Sequence, residues 1–346
     1  MTKARKDIVD VNVTRYYHCI SECVRQAALC GNGFEHRKEW IESRLEELSH
    51  AFAIGICGYA VMDNHLHTLV KLEPERAEEW SDEEVIRRWM IVYPPSGVDL
   101  EDEKAVSDHV RKQLEDPDQV ALWRERLADL SWFMKRLKEP IARRANQEDD
   151  CRGSFWASRF KSIALLDEEA ILACCAYIDL NPVAAGIAPL PESSPYTSIR
   201  QRVEHIRRQK GGFEKLKAAK EQPTVANREA LGKLERDHWL CPIQDRGSSG
   251  ATRGGVLEGM SLAGYLLLVD YTSRLPRKGK AHVSHEVAGI FERLETTAEN
   301  WTGRLKQLFG SSRLKGIYFA TDRQRLREVA EQKGSNRLIN LAGCPT

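Results

Sequence analysis

The sequence predicts an α+β protein: a ferredoxin-like sandwich with one antiparallel sheet and helices on one face, followed by a mostly helical C-terminal extension. Three observations carry this. Stretches of period two and of helical period follow one another as strand, helix, strand, strand, helix, strand, helix. The 346 residues exceed what one small domain needs. Apolar content of 42% and charged content of 30% are those of an ordinary soluble protein.

Residues 14–24, TRYYHCISECV, alternate and carry aromatic and β-branched side chains, which predicts a strand. Residues 36–50 place Trp40, Ile41, Leu45 and Leu48 at helical spacing. Residues 52–62, FAIGICGYAVM, predict a buried strand that its two glycines could kink. Asp63-Asn64 form a tight turn, and 65–72 a second strand. Residues 73–127 hold a Pro-Pro-Ser-Gly break and look like an inserted helical excursion. Residues 128–146 put Leu130, Phe133, Met134, Leu137 and Ile141 on one helix face, with Pro140 expected to kink or divide the helix. Residues 153–166 read as a strand. Residues 167–180 read as a helix capped by Asp167, which Asn181-Pro182 ends.

The expected domains are 10–190 with the insertion at 73–127, a linker with basic helices over 191–255, and a small helical domain over 256–345. The run Gly247-Ser-Ser-Gly-Ala-Thr-Arg-Gly-Gly255 is expected to be mobile. No internal repeat is visible. Nine scattered cysteines without a CxxC pair predict free thiols rather than a disulfide framework or a zinc site. The polar N-terminus and the lack of a long apolar run predict no signal peptide, no membrane span and a cytoplasmic location.

The formal net charge of +1 hides an asymmetry. Residues 72–118 sum to −9, 132–161 to +4, and 198–236 and 303–337 to +6 each. Each run taken alone reads first as a solvated helix face, but local basic patches keep a polyanion partner open.

Two clusters carry chemistry. His65 and His67, two apart in a strand, project from one face. Two neutral imidazoles there can hold a divalent ion with positions open for a substrate oxygen. A lone His-x-His is more often two polar strand residues. The second cluster, Tyr177-Ile-Asp-Leu-Asn-Pro-Val-Ala-Ala-Gly186, places Tyr177 and Asn181 on one helix face, four apart. A tyrosine hydroxyl is a poor nucleophile near neutrality, but an ion polarising a phosphate offsets this. Asn181 could give that ion, Mg²⁺ or Mn²⁺, a carbonyl oxygen. Alone, Tyr177 reads as an ordinary helix tyrosine and Asn181 as a helix end; together with the histidine pair they read as a site. Trp156, Phe155 and Phe160 interleave with Arg152, Arg159 and Lys161, as unpaired bases and phosphates would require. Arg15, Arg143 and Arg144 are further phosphate candidates. Phe155 or Phe160 could equally be sheet core.

The elements Arg15-Tyr16-Tyr17-His18, Met62-Asp63-Asn64-His65-Leu66-His67, Gly153-Ser-Phe-Trp-Ala-Ser-Arg-Phe160 and Tyr177-Ile-Asp-Leu-Asn-Pro-Val-Ala-Ala-Gly-Ile187 resemble the single-tyrosine HUH transposases, specifically their REP-associated tyrosine transposase branch. The resemblance spans about residues 10–190, with the acidic insertion as a departure. It implies an HUH domain in which His65, His67 and Asn181 are metal ligands. It implies that Tyr177 attacks single-stranded DNA to form a 5′-phosphotyrosine link and free a 3′-hydroxyl. The implied substrates are hairpin-forming, repetitive extragenic palindrome-like DNA, in a bacterial, nucleoid-associated setting. The resemblance implies a monomer by its branch and a dimer by the related insertion-sequence enzymes, so monomer and dimer stay open. Val183-Ala-Ala-Gly186 departs from the pattern, which has a basic residue beside the glycine.

The alternative reading is a non-catalytic, domesticated nucleic-acid-binding protein on the same frame. The intact set His65, His67, Tyr177 and Asn181 favours the enzyme. A replication initiator or relaxase is disfavoured, because relaxases set the nucleophile before the histidines and Tyr177 follows His67 by 110 positions.

Overall fold

The computed structural model describes residues 9–188, 190–245, 254–274, 318–333 and 338–340. The four predicted strands form: β1 (Tyr16–Glu22), β2 (Ile54–Val61), β3 (His65–Leu72) and β4 (Lys161–Leu165). They lie in the order β2-β3-β1-β4, all antiparallel, the arrangement of a ferredoxin-like sheet. Two short strands, β5 (Tyr318–Ala320) and β6 (Leu338–Asn340), add in parallel beyond β4. The α+β class stands, with a mixed rather than purely antiparallel sheet.

The central strand β1 shows why both faces need cover. Tyr17 and Cys19 enter one core with Leu66 and Val70 of β3; Ile20 enters another with Leu69. The first core is closed by α1 (His36–Ala51) and α6 (Leu130–Glu148), as the ferredoxin-like pattern requires. The sequence placed helices on one face only. The second face is also apolar, through Ile20, Ala60, Leu69, Ile163 and Leu165, and α7 (Glu168–Ala184) buries it.

The insertion forms α2 (Pro74–Glu79), α3 (Asp82–Val92), α4 (Glu103–Gln113) and α5 (Pro117–Ala128). It is more than a solvated excursion. Val85, Ile86, Met90, Val106, Val110, Val120 and Leu127 extend the α1/α6 core. Several of its acidic residues are paired, as in Arg87–Glu83, Arg88–Glu84 and Arg124–Asp82.

Three stretches depart from their simplest local reading for physical reasons. Helix α6 runs through Pro140 undivided. Proline removes the N–H that would bond the Arg136 carbonyl, and the Arg44 guanidinium supplies a donor there at 3.2 Å. Helix α7 continues past Asn181-Pro182 to Ala184, because Ile178, Leu180 and Pro182 are all buried and packing outweighs the local penalty. The stretch 153–160 is irregular; only Lys161–Leu165 is strand, and Phe155 and Phe160 are both core. The bulge in β2 falls between Ile56 and Gly58.

Residues 191–245 are packed helices. α8 (Ser198–Arg208), α9 (Gly212–Glu221) and α10 (Val225–Glu235) follow α7, and the Arg202 guanidinium donates to the carbonyls of Cys57, at the bulge, and Cys241. α11 (Leu262–Arg274) packs on α7, and α12 (Arg323–Lys333) on β5. Of the run expected to be mobile, 247–253 lies outside the described residues, as does much of the expected C-terminal domain. The described cysteines carry free thiols. Among the described residues no helix is long and apolar enough to cross a membrane.

Candidate active site

Period-two alternation sends His65, His67 and Leu69 of β3 toward the face covered by α7, while Leu66 and Val70 go to the opposite core. His67 sits opposite Ile20 of β1 and His65 opposite Glu22. His18, two residues before Ile20, is therefore a diagonal neighbour of His67. His18 Nε2 and His67 Nδ1 lie 3.0 Å apart. Tyr177 closes the cluster from α7, with ring centroids 5.3 Å from His67 and 6.0 Å from His18, both edge-on. His65 and His67 stand 4.7 Å apart, also edge-on.

The turn before β3 fixes the other histidine. His65 Nδ1 meets the Asn64 Oδ1 at 2.6 Å, and Asn64 Nδ2 donates to the Gln26 carbonyl at 3.2 Å. Asp63 accepts from Lys38 Nζ at 2.6 Å, and the Cys23 and Cys30 amides donate to the Asn64 and Asp63 carbonyls. Each histidine thus has its Nδ1 engaged. With Nδ1 protonated, the Nε2 lone pair is free for a cation, the arrangement in which a partner of the remote nitrogen sets the tautomer.

Burial holds these rings neutral. Desolvation, with the nearby His65 charge second, lowers His18 to about 3. Desolvation lowers His67 well below the usual imidazole range and lowers His65 against the opposing pull of Glu22 and Asp63. Desolvation also pushes the Tyr177 hydroxyl up to about 12, while a hydrogen bond from the Asn181 side chain acts to lower it.

The donor set fits a divalent ion on one observation above the rest. The buried His67 Nε2 has no hydrogen-bond partner among the described residues, an arrangement a native core tolerates mainly where a function uses it. No group of three or more His, Cys, Asp or Glu side chains able to hold a metal occurs among the described residues. A site here needs the amide of Asn181 as its third protein donor.

The docking of α7 depends on Asp179. This buried carboxylate accepts from Ser198 Oγ (2.6 Å), Ile199 N (3.1 Å) and Tyr265 Oη (2.5 Å), tying α7 to α8 and α11. Burial raises its pKa against those bonds and the Arg202 charge. Asp167 caps α7 through Ala170 N (2.7 Å) and holds the Thr321 amide beside β5 (2.7 Å).

The structure brings His65, His67, Tyr177 and Asn181 into one cluster. Lys161 starts β4 on the same sheet face as Ile163 and bonds Glu22 at 2.6 Å, beside His65. Arg152 and Arg159 are exposed in the segment that leads into that end of β4. Of the other predicted DNA contacts, Arg15, Arg143 and Arg144 are elsewhere. Arg15 precedes the far end of β1 and pairs with Glu75. Arg143 pairs with Glu139 and Arg144 stacks on Trp40, both on α6 across the sheet from Tyr177. Trp156 is half-buried, its indole donating to the Lys138 carbonyl. Sequence reasoning missed His18, Asn64 and Asp179. The period-two placement of His18 was visible, but the register that sets it beside His67 was not.

No protein-family model and no curated protein sequence matches the chain. Among solved structures, a REP-associated tyrosine transposase bound to a REP hairpin matches at 13% identity with a TM-score of 0.32, over 55% of this chain and 78% of that one.

Proposed function

We propose that the chain is a metal-dependent, single-stranded DNA transposase of the HUH tyrosine type, acting on hairpin-forming repeat DNA. The observation that carries this is the pair of histidines with both Nδ1 atoms engaged and the His67 Nε2 unsatisfied, on the face where Tyr177 and Asn181 pack.

His65, His67 and the Asn181 carbonyl would hold Mg²⁺ or Mn²⁺, which when bound polarises a backbone phosphate. The remaining chemistry belongs to the chain. Helix α7 presents the Tyr177 hydroxyl as a neutral phenol, so its proton leaves as it attacks and not before. The phenolic oxygen forms a bond to phosphorus and the P–O3′ bond breaks. The departing 3′ oxygen takes up a proton, and a 5′-phosphotyrosine link remains. One phosphodiester replaces another, so a 3′-hydroxyl can reverse the step without an external energy source. Lys161, Arg159 and Arg152 would hold flanking phosphates at the open end of the sheet.

The test is a denaturing gel of the protein with labelled single-stranded hairpins from repeats flanking its own gene, with Mn²⁺ or Mg²⁺. The expected result is a protease-sensitive adduct, lost in Tyr177→Phe and His65→Ala. Tight hairpin binding without adduct under either metal would establish the non-catalytic binding protein instead.

A further inference from the structure

Across the sheet from Tyr177, the insertion and α6 build a second surface that this chemistry does not use. Four of the eight tryptophans in the chain, Trp40, Trp89, Trp123 and Trp132, lie here half-buried together with Tyr93. Trp89 stacks on Tyr93 at 4.7 Å and on Trp123 at 5.4 Å, with interplanar angles of 28° and 15°. Trp132 leans on Trp89 at 6.0 Å. Cations lie over the rings: Arg136 over Tyr93 (4.0 Å), Arg126 (4.4 Å) and Lys135 (4.7 Å) over Trp132, and Arg144 over Trp40 (3.8 Å).

A cavity of about 560 Å³ continues this ladder, walled by Trp40, Arg44, Val92, Pro94, Arg136 and Arg144. Arg136 belongs to both, so rings and cavity form one strip. Arg44 and Arg136 are engaged, by Glu47 and by the Val92 carbonyl. Arg144 is exposed, and no carboxylate pairs with it among the described residues. A packed core hides its aromatic rings. Here the rings pack on the edge of the α1/α6 core, keep part of their surface exposed and alternate with cations.

We propose that this strip binds a segment of single-stranded nucleic acid, distinct from any segment held at Tyr177. The ring surface left exposed and the planar guanidinium of Arg144 would contact unpaired bases, and the cavity has room for one nucleotide. Glu39 and Glu47 also line the cavity, so its three arginines leave little net positive charge. Binding there is therefore carried by stacking, with a shallow dependence on salt. The inference does not rest on Tyr177 being a nucleophile.

The experiment uses the full chain in EDTA and a short, unstructured oligothymidylate, followed by tryptophan fluorescence and by anisotropy of a labelled strand. Oligouridylate in parallel tells DNA from RNA as the source of the ligand. The expected result is saturable quenching, with a log–log salt slope no steeper than about −2. Affinity should fall about tenfold in Arg144→Gln and in Trp132→Ala. Lys135→Gln, at an exposed position, gives a milder loss without risk to folding. In the same preparations Arg144→Gln should still form the hairpin adduct with Mn²⁺. Absence of quenching, or affinity unchanged in Arg144→Gln and Trp132→Ala, overturns the proposal. Adduct without strip binding sinks this inference alone; strip binding without adduct in wild-type protein sinks the strand-transfer reading alone.

Discussion

Replacing Asp179 by alanine tests whether one buried carboxylate docks helix α7. Its two oxygens serve donors from Ser198, Ile199 and Tyr265 at 2.5–3.1 Å, in a residue only 2% exposed. After truncation Ser198 can turn to the Tyr59 carbonyl, already 3.2 Å away. The Ile199 amide and the Tyr265 hydroxyl lose their acceptor. Two orphaned buried donors at about 1–3 kcal/mol each, less the relief of an expensive buried charge, leave a loss of about 3 kcal/mol. Asp179→Asn keeps an acceptor for Ile199 and can donate to Tyr265, so it should cost about 1 kcal/mol. Urea unfolding at pH 7, with equal slopes, reads both. A loss below about 1 kcal/mol for the alanine variant would show that α7 is held by apolar packing alone, and the reasoning would be wrong.

If His18 and Asn64 set the tautomers of His67 and His65, then His18→Phe and Asn64→Ala should each weaken Mn²⁺ binding by about 10–100-fold, measured by calorimetry; unchanged affinity refutes the assignment. Tyr177→Phe should keep Mn²⁺ affinity within about twofold while abolishing adduct, which separates ligand from nucleophile. In metal-free protein, His18, His65 and His67 have folded pKa values below the unfolded value. The unfolded chain therefore binds the extra protons, and stability is full above about pH 6.5 and falls as pH drops toward the folded values. At pH 5.5 each ring still neutral in the fold costs about 1.4 kcal/mol, so urea midpoints should drop between pH 7 and 5.5, and drop less in His18→Phe. Gly55→Ala would set a Cβ 2.3 Å from the Cys241 Sγ; a loss of about 1–3 kcal/mol in urea unfolding is expected, and neutrality would show that the Cys241 segment can yield.

The elements most legible in the sequence were those with strong periodicity and clean ends. The His-bearing strand falls at 65–72 as read, and the first helix ends one residue beyond its expected limit. The prolines misled because their penalty is local while its relief is tertiary: Arg44 reaches Arg136 from another helix, and Pro182 is paid for by burial on α7. Aromatic residues overstated strand over 153–160, where Phe155 and Phe160 turn inward from irregular chain. For the site, Tyr177, Asn181 and the histidine pair were readable because helical and strand spacing place them. Their supports were not, since His18, Asn64 and Asp179 act through partners 49, 38 and 19 or more residues away. Among the basic residues, Arg15, Arg143 and Arg144 lie away from Tyr177, because charge alone does not tell which face of an element carries it.

Helix α7 is buried on nearly every side, wedged among β2, α11 and the 191–193 turn. Such packing opposes a helix that swings out to trade places with its counterpart in another copy. If Tyr177 is the nucleophile, it would then act with the histidines of its own chain. Mixing Tyr177→Phe protein with His67→Ala protein should restore no cleavage, and the specific activity of the unaltered chain should not change on dilution.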